Sequence, residues 1–238
     1  MGDTVVALRS NVSPMFDVMS EQLITAITTQ LHAVIDPYTK SALTAGRALN
    51  RIEVGDQTVV IHLTKGYPVS EQTQAALTTL VLDALTAVDL QGRDVQLAVA
   101  QDIISHSAQQ GVRAVEGVKN IIAVASGKGG VGKSTVSANL ALALAAAGAH
   151  VAVLDADIYG PSQPRMLGVS GKPEALDNKM LLPMQNHQLK IMSIGFLVEE
   201  DTPMIWRGPM VTQALEQMLR GTDWANDGQV VDYLIMDM

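Results

Sequence analysis

The sequence predicts an α/β protein: a doubly wound, mostly parallel sheet preceded by a small α+β domain. Three observations carry that prediction. A continuous apolar run, Ile121 to Ala125, leads through a glycine-rich loop and an Ala/Leu helix into a second apolar run, Val151 to Leu154. That order and size suit the strand–helix–strand unit of a parallel sheet, whose strands are buried on both faces. Val230, Val231, Tyr233, Leu234, Ile235 and Met236 mark a third apolar strand, which ends in an acid, Asp237. The first hundred residues instead mix short helical and strand periodicities.

In chain order, Leu23, Ile27, Leu31 and Val34 recur at helical spacing and stop before Asp36-Pro37. Ile52 and Val54 alternate toward Gly55-Asp56, and Thr58 to Leu63 is rich in β-branched residues, so the two stretches read as a hairpin. After the Gly66-Tyr67-Pro68 break, Leu77, Leu80, Val81, Ala84, Leu85 and Val88 form one apolar helical stripe. Val95, Leu97 and Val99 alternate as a further strand after a turn at Gly92. This helix–hairpin–helix–strand unit is the small α+β domain, residues 1–104. Residues 105–117, SHSAQQGVRAVEG, are polar and glycine-punctuated and read as a linker. Residues 118–238 form the second domain. Toward its end, Met210, Val211, Ala214, Leu215, Met218 and Leu219 mark a buried helical face.

Composition removes several function classes. The 238 residues contain no Cys, which excludes disulfides, thiolate zinc sites and any iron–sulfur cluster held by this chain's own thiolates. With 16 Lys+Arg against 24 Asp+Glu the formal charge is −8, which argues against an electrostatic grip on nucleic acid. The N-terminus lacks the pattern of a secretory signal. The stretch from Ser134 to Leu154 is free of Asp, Glu, Lys and Arg. It is Ala-rich, is broken at Gly148 and His150, and reads as helix, turn and strand rather than a membrane span.

The chemistry sits in the loop Ser126-Gly127-Lys128-Gly129-Gly130-Val131-Gly132-Lys133-Ser134-Thr135. Gly127, Gly132, Lys133 and Ser134 satisfy the phosphate-loop pattern. Phosphate oxygens are met by backbone N–H groups, which side chains would block, and the helix that follows adds its unpaired N–H groups and positive dipole end. Lys133 supplies a charge to the β- and γ-phosphates, and Ser134 can ligate Mg2+. Gly127, Gly129 and Gly132 also fit a dinucleotide fingerprint, with Asp155 as its acid, but that reading gives Lys133-Ser134-Thr135 no purpose. Asp237, after its apolar strand, is the expected carboxylate for Mg2+, with a solvated residue at the chain's end as the plain alternative. Asp155 and Asp157 follow the strand 151–154, at the sheet edge where such folds bind ligands. Asp155 can support the metal shell and Asp157 orient an attacking water; an acid-rich turn is the plain alternative.

With these residues assembled, a family resemblance emerges. Lys128 in GKGGVGKST resembles the deviant phosphate loop of the dimerising P-loop ATPases, among them the division-site and chromosome-partition ATPases, the arsenite ATPase and the nitrogenase iron protein. The stretch from Asp155 to Gly168, DADIYGPSQPRMLG, and Trp206-Arg207-Gly208-Pro209-Met210 closely resemble the Mrp/ApbC iron–sulfur cluster carriers, as does the stretch from Asp232 to Asp237. Val34-Ile35-Asp36-Pro37 and Gly66-Tyr67-Pro68 are similar to the small iron–sulfur assembly domain that often precedes the ATPase in that family. The resemblance implies an ATP hydrolase with ATP and Mg2+ as cofactors, acting as a cytoplasmic homodimer that carries clusters to client apoproteins, with no nucleic-acid or membrane partner. It implies that Lys128 reaches across the dimer to the partner's ATP, and it makes Lys128 and Asp157, in the first switch, the catalytic candidates. Residues Gly127, Lys128, Gly129, Gly130, Val131, Gly132, Lys133, Ser134 and Thr135 would hold nucleotide, and Ser134, Asp155 and Asp237 would manage Mg2+.

The sequence also departs from that family. Its carriers bear a Cys-x-x-Cys pair downstream, and the chain ends at Asp237-Met238 where they continue into a second switch. The expectation is an N-terminal fragment with a C-terminally truncated sheet, weak or absent ATP turnover, and a cluster held only by the full-length protein. Two other functions stay open: a ParA/MinD-type positioning ATPase, disfavoured by the acidic balance, and a non-catalytic fragment that binds clients through residues 20–100. The five histidines never pair at ligand spacing and read as surface or boundary residues; the clustered methionines read as core filling. Arg207 fits a nucleotide contact, a partner contact or a surface salt bridge equally.

Overall fold

The computed structural model describes residues 14–106, 113–158, 160–176, 180–197 and 208–238. The middle of the expected linker, Tyr159, Met204, Trp206 and Arg207 lie outside the described residues. The chain divides into two units, Met1–Gly66 with Glu71–Asp102, and Tyr67–Ser70 with Ile103–Met238.

The first unit contains α1 (Pro14–Ala33), β1 (Leu49–Val54), β2 (Thr58–Lys65), α2 (Glu71–Leu85) and β3 (Asp94–Gln101). β1 and β2 are the expected antiparallel hairpin, and β3 lies parallel to β2, so α2 is the crossover between them. The period-2 rule is clearest in β2, whose residues Val59, Ile61, Leu63 and Lys65 are buried while their neighbours are half-exposed. Leu23, Ile27 and Leu31 of α1 and Leu77, Val81 and Leu85 of α2 join that strand in one core. Lys65, the one charged member of the buried row, forms an ion pair with buried Asp36 at 3.0 Å and donates to the Leu43 carbonyl at 2.8 Å. Asp36 Oδ1 in turn accepts the N–H groups of Tyr38 and Thr39, so the turn after α1 is closed on a charge pair.

The second unit contains β4 (Val118–Val124), α3 (Lys133–Ala146), β5 (Val151–Asp155), α4 (Gln163–Met166), β6 (Met184–Asn186), β7 (Leu189–Ser193), a 3-10 turn (Ile194–Phe196), α5 (Gly208–Arg220) and β8 (Val231–Asp237). The strand order is β4-β8-β5-β7-β6, parallel except for β6. β5 and β7 are buried along their whole length, as strands covered on both faces of a parallel sheet should be. This is the α/β architecture the sequence predicts.

Three readings need correction. The run Ile121 to Ala125 reads as buried on both faces, but β4 is an edge strand and Ile121 is 44% exposed. Met210 reads as part of the buried face of its helix, yet it is 43% exposed, while Met218 further along is buried. β6 and β7 have no counterpart among the expected elements, because β6 has three residues and Lys190 interrupts the apolar run of β7. Buried Lys190 is tolerated because its ammonium meets Asp227 and the carbonyls of Trp224 and Gln229.

Candidate phosphate-binding site

The strand order creates the site. The chain leaves β4, forms α3 and returns as β5, but β8 inserts between those two strands. Their C-terminal ends line up: Val124 pairs with Asp237, and Asp237 pairs with Asp155. An open parallel sheet receives ligands outside its strand ends where the order reverses, and the glycine-rich loop lies there.

Two glycines in the loop have a conformational requirement. Gly130 (φ +73°) and Gly132 (φ +88°) adopt left-handed backbone, which a side chain would strain. Apart from each glycine and its chain neighbours, no atom of the described residues lies within 4 Å of where a Cβ would sit on Gly127, Gly129, Gly130 or Gly132, so the loop backbone borders open space. Gly132 is the N-cap of α3 and no side chain caps that helix end. The first N–H groups of a 14-residue helix are thereby left for an anion. Lys133 and Ser134 are half-buried in the first turn of α3, while Lys128 and Thr135 are exposed. The loop is pinned locally by Ser126, whose Oγ accepts the Lys128 N–H at 3.1 Å and donates to the Lys128 carbonyl at 3.2 Å. Among the described residues, neither Lys128 nor Lys133 has an acidic partner.

Beneath the loop lie the two strand-end carboxylates, both fully buried. Asp237 accepts Ser137 Oγ at 3.0 Å on one oxygen and Gln163 Nε2 at 2.8 Å on the other. Gln163 Nε2 also donates to the Ser134 carbonyl at 3.0 Å, so one amide nitrogen joins β8 to the first turn of α3. Asp155 accepts the N–H groups of Asp157, Ser162 and Gln163 and the Ser193 hydroxyl, which braces the segment leaving β5. Burial pushes the Asp155 carboxyl up to about 6; the Asp237 charge adds to the rise, and the three backbone N–H groups oppose it. Asp157 is half-buried and accepts the Gly160 N–H at 3.2 Å.

The structure therefore brings Lys133, Ser134, Asp155 and Asp237 to one corner. It adds Ser137 and Gln163, which sequence reasoning missed. Ser137 carried a signal: it is the polar residue one turn after Lys133 on a helix face otherwise buried through Ala138, Ala141 and Ala145. Gln163 carried none, because its partner Asp237 is 74 positions away. A separate cleft of about 400 Å3 opens at the opposite edge of the sheet, near the starts of β5, β7 and β8. Its lysine, Lys190, is already fully engaged, and the cleft adds nothing to the phosphate chemistry.

A family model described as "ParA: NUBPL iron-transfer P-loop NTPase" matches residues 117–238. The chain belongs to that family. The glycine-rich loop 127–135 lies within the matched residues. An iron–sulfur cluster carrier protein from Haemophilus influenzae is 46% identical over 194 residues, covering 80% of this chain and 50% of the relative. The iron–sulfur cluster transfer protein NUBPL of Mus musculus is 54% identical over 126 residues, covering 52% of this chain and 38% of the relative. The chain spans about half the length of the curated bacterial relatives it matches. Among solved structures, a nucleotide-binding protein from Archaeoglobus fulgidus in complex with ADP is 38% identical, with a TM-score of 0.41, covering 50% of this chain and 43% of that one. No helix among the described residues is long and apolar enough to cross a membrane.

Proposed function

We propose that this chain supplies the nucleotide-driven part of an iron–sulfur cluster carrier, an ATP hydrolase that works as a homodimer in the cytoplasm and delivers clusters to client apoproteins. The observation that carries the reading is the uncapped phosphate loop at the C-terminal edge of a parallel sheet, directly above two buried carboxylates in register. The relatives named as cluster carriers favour carriage over positioning on a membrane or on DNA.

On this reading the loop amides of 127–135 bind the phosphates and Lys133 neutralises the β- and γ-phosphate charge. The residues fit a magnesium nucleotide. The loop borders open space, and among the described residues the buried carboxyl pair forms no ion pair of its own. Ser134 and Asp237 would hold Mg2+, with Asp155 supporting its shell; when bound, the ion neutralises charge that develops on the phosphates. Asp157 orients the attacking water. Lys128 points its charge at a phosphate arriving from the second subunit, which gives a purpose to an exposed loop lysine without an acidic partner among the described residues. Residues 1–104 serve as the iron–sulfur assembly-like domain that meets clients, joined through 105–117 to the ATPase domain, 118–238. The cluster is cargo, and with no Cys among these 238 residues none of their side chains offers it a thiolate.

The test is ATP binding, ATP-driven dimerisation and turnover by the chain and by Lys128→Ala. The reading expects nucleotide bound per subunit to be retained in the variant and dimerisation to be lost. Intact dimerisation in Lys128→Ala would remove the cross-subunit role, and absence of any nucleotide binding by the wild type would remove the whole proposal.

A further inference from the structure

The buried corner under the loop contains two polar atoms with no hydrogen-bond partner among the described residues, Gln163 Oε1 and Ser162 Oγ. They are neighbours in sequence, and both belong to the segment that Asp155 holds through the backbone N–H groups of Ser162 and Gln163. The orientation of the Gln163 amide is determined by its surroundings. Both of its partners, Asp237 Oδ2 and the Ser134 carbonyl, are acceptors only, so the nitrogen must face them and the oxygen must be the end left over. Gln163 is fully buried, and a buried acceptor without a donor is a rare and costly arrangement.

The missing partner must be a donor, and the chemistry of the corner says which kind. Asp155 and Asp237 place two carboxylates side by side, and neither forms an ion pair among the described residues. A hydrated Mg2+ brings positive charge and keeps several waters, each of which presents only hydrogens outward. Acceptors alone can receive such a shell, and carboxylate, amide oxygen and hydroxyl are what this corner offers.

We propose that Gln163 is a positioning residue for the nucleotide's divalent cation: Nε2 ties Asp237 to the first turn of α3, while Oε1, with Ser162 Oγ, accepts hydrogens of the cation's water shell. The proposal rests on the reading that the loop binds a magnesium nucleotide. It deepens that reading by extending the cation's contacts to the segment after β5, so that this segment registers the cation as well as the strand-end acids.

The experiment measures fluorescent-ADP affinity of the 238-residue chain in Mg2+ and in EDTA, for the wild type, Gln163→Met and Ser162→Ala. Gln163→Met keeps the length of the side chain and removes both polar atoms; Ser162→Ala leaves its backbone N–H to Asp155 intact. The affinity gained on adding Mg2+ should fall by about tenfold in Gln163→Met and by about threefold in Ser162→Ala, each a larger loss than the same variant shows in EDTA. Circular dichroism checks folding, and Ser162→Ala decides alone if Gln163→Met does not fold. Equal loss with and without Mg2+ would make Gln163 a purely structural brace and overturn the proposal. So would an undiminished Mg2+ gain in both variants, the result expected if a trapped water satisfies the two atoms. A wild type that binds ADP equally well with and without Mg2+ overturns this proposal alone; a wild type that binds no ADP overturns the nucleotide reading with it.

Discussion

In the first unit the buried carboxylate of Asp36 faces the ammonium of Lys65; in the second, the buried carboxylates of Asp155 and Asp237 lie side by side on neighbouring strands. The first arrangement is closed. Its charges cancel, Lys65 takes the Leu43 carbonyl as well, and Asp36 caps the turn that follows α1. The second arrangement is open, with like charges adjacent, a raised carboxyl pKa and, beside them, two polar atoms without a hydrogen-bond partner among the described residues. Burial at similar depth thus serves two ends. A neutralised pair secures a fold, whereas an uncompensated one is a place prepared for a charged ligand.

The largest effect expected from breaking this contrast is at the closed pair. Lys65→Met leaves Asp36 buried without its countercharge and should cost the first unit about 3–5 kcal/mol. Hydrogen exchange on the β1–β3 amides of the full chain reads this directly, and undiminished protection would show that the pair is not holding the unit.

The open pair should respond to pH instead. Because the folded pKa of Asp155 is raised from 3.8 to about 6, folding favours its neutral form. The stabilisation from this group is complete below about pH 4 and is lost as pH rises through about 6, a total of about 3 kcal/mol. Urea unfolding followed by tryptophan fluorescence across that window should show the loss. Asp155→Asn, though less stable throughout because its amide meets backbone donors, should flatten the slope between about pH 4 and 6; an unchanged slope would assign the titration elsewhere.

Two smaller effects sharpen the ligand side of the comparison. Lys133→Ala should weaken ADP binding by about 30- to 100-fold, the worth of a charge-assisted phosphate contact, with unfolding little changed. Ser137→Ala should cost about 1 kcal/mol of stability in the same urea titration. Its single hydroxyl hydrogen serves Asp237 Oδ1 or the Lys133 carbonyl, each at 3.0 Å, and cannot serve both at once.

Much of this was legible in the sequence where the determining contacts are local. The loop was readable because its glycines, lysine and serine act through neighbouring backbone, and the hairpin of β1 and β2 because alternation and the Gly55-Asp56 turn lie within a few residues. β4 was misjudged because an apolar run reports that a strand is apolar, not whether it lies at the centre or the edge of its sheet; Ile121 has the same composition signal as Val153 and the opposite burial. Lys190 hid β7, since a buried lysine is tolerated only through groups 34 to 39 positions away that no window includes.

By itself the sequence determined the phosphate loop, the alternation of helices and strands, the acids at the ends of two strands and the absence of thiolates. Those properties depend on residue type and near-neighbour spacing. Tertiary structure alone decided that β8 enters between β4 and β5, and so that Asp237 and Asp155 become neighbours under the loop. It also decided that Gln163 joins Asp237 to Ser134 while its own oxygen is left without a donor among the described residues. The physical reason is that strand order and the satisfaction of a buried polar atom are settled by contacts between residues distant in the chain.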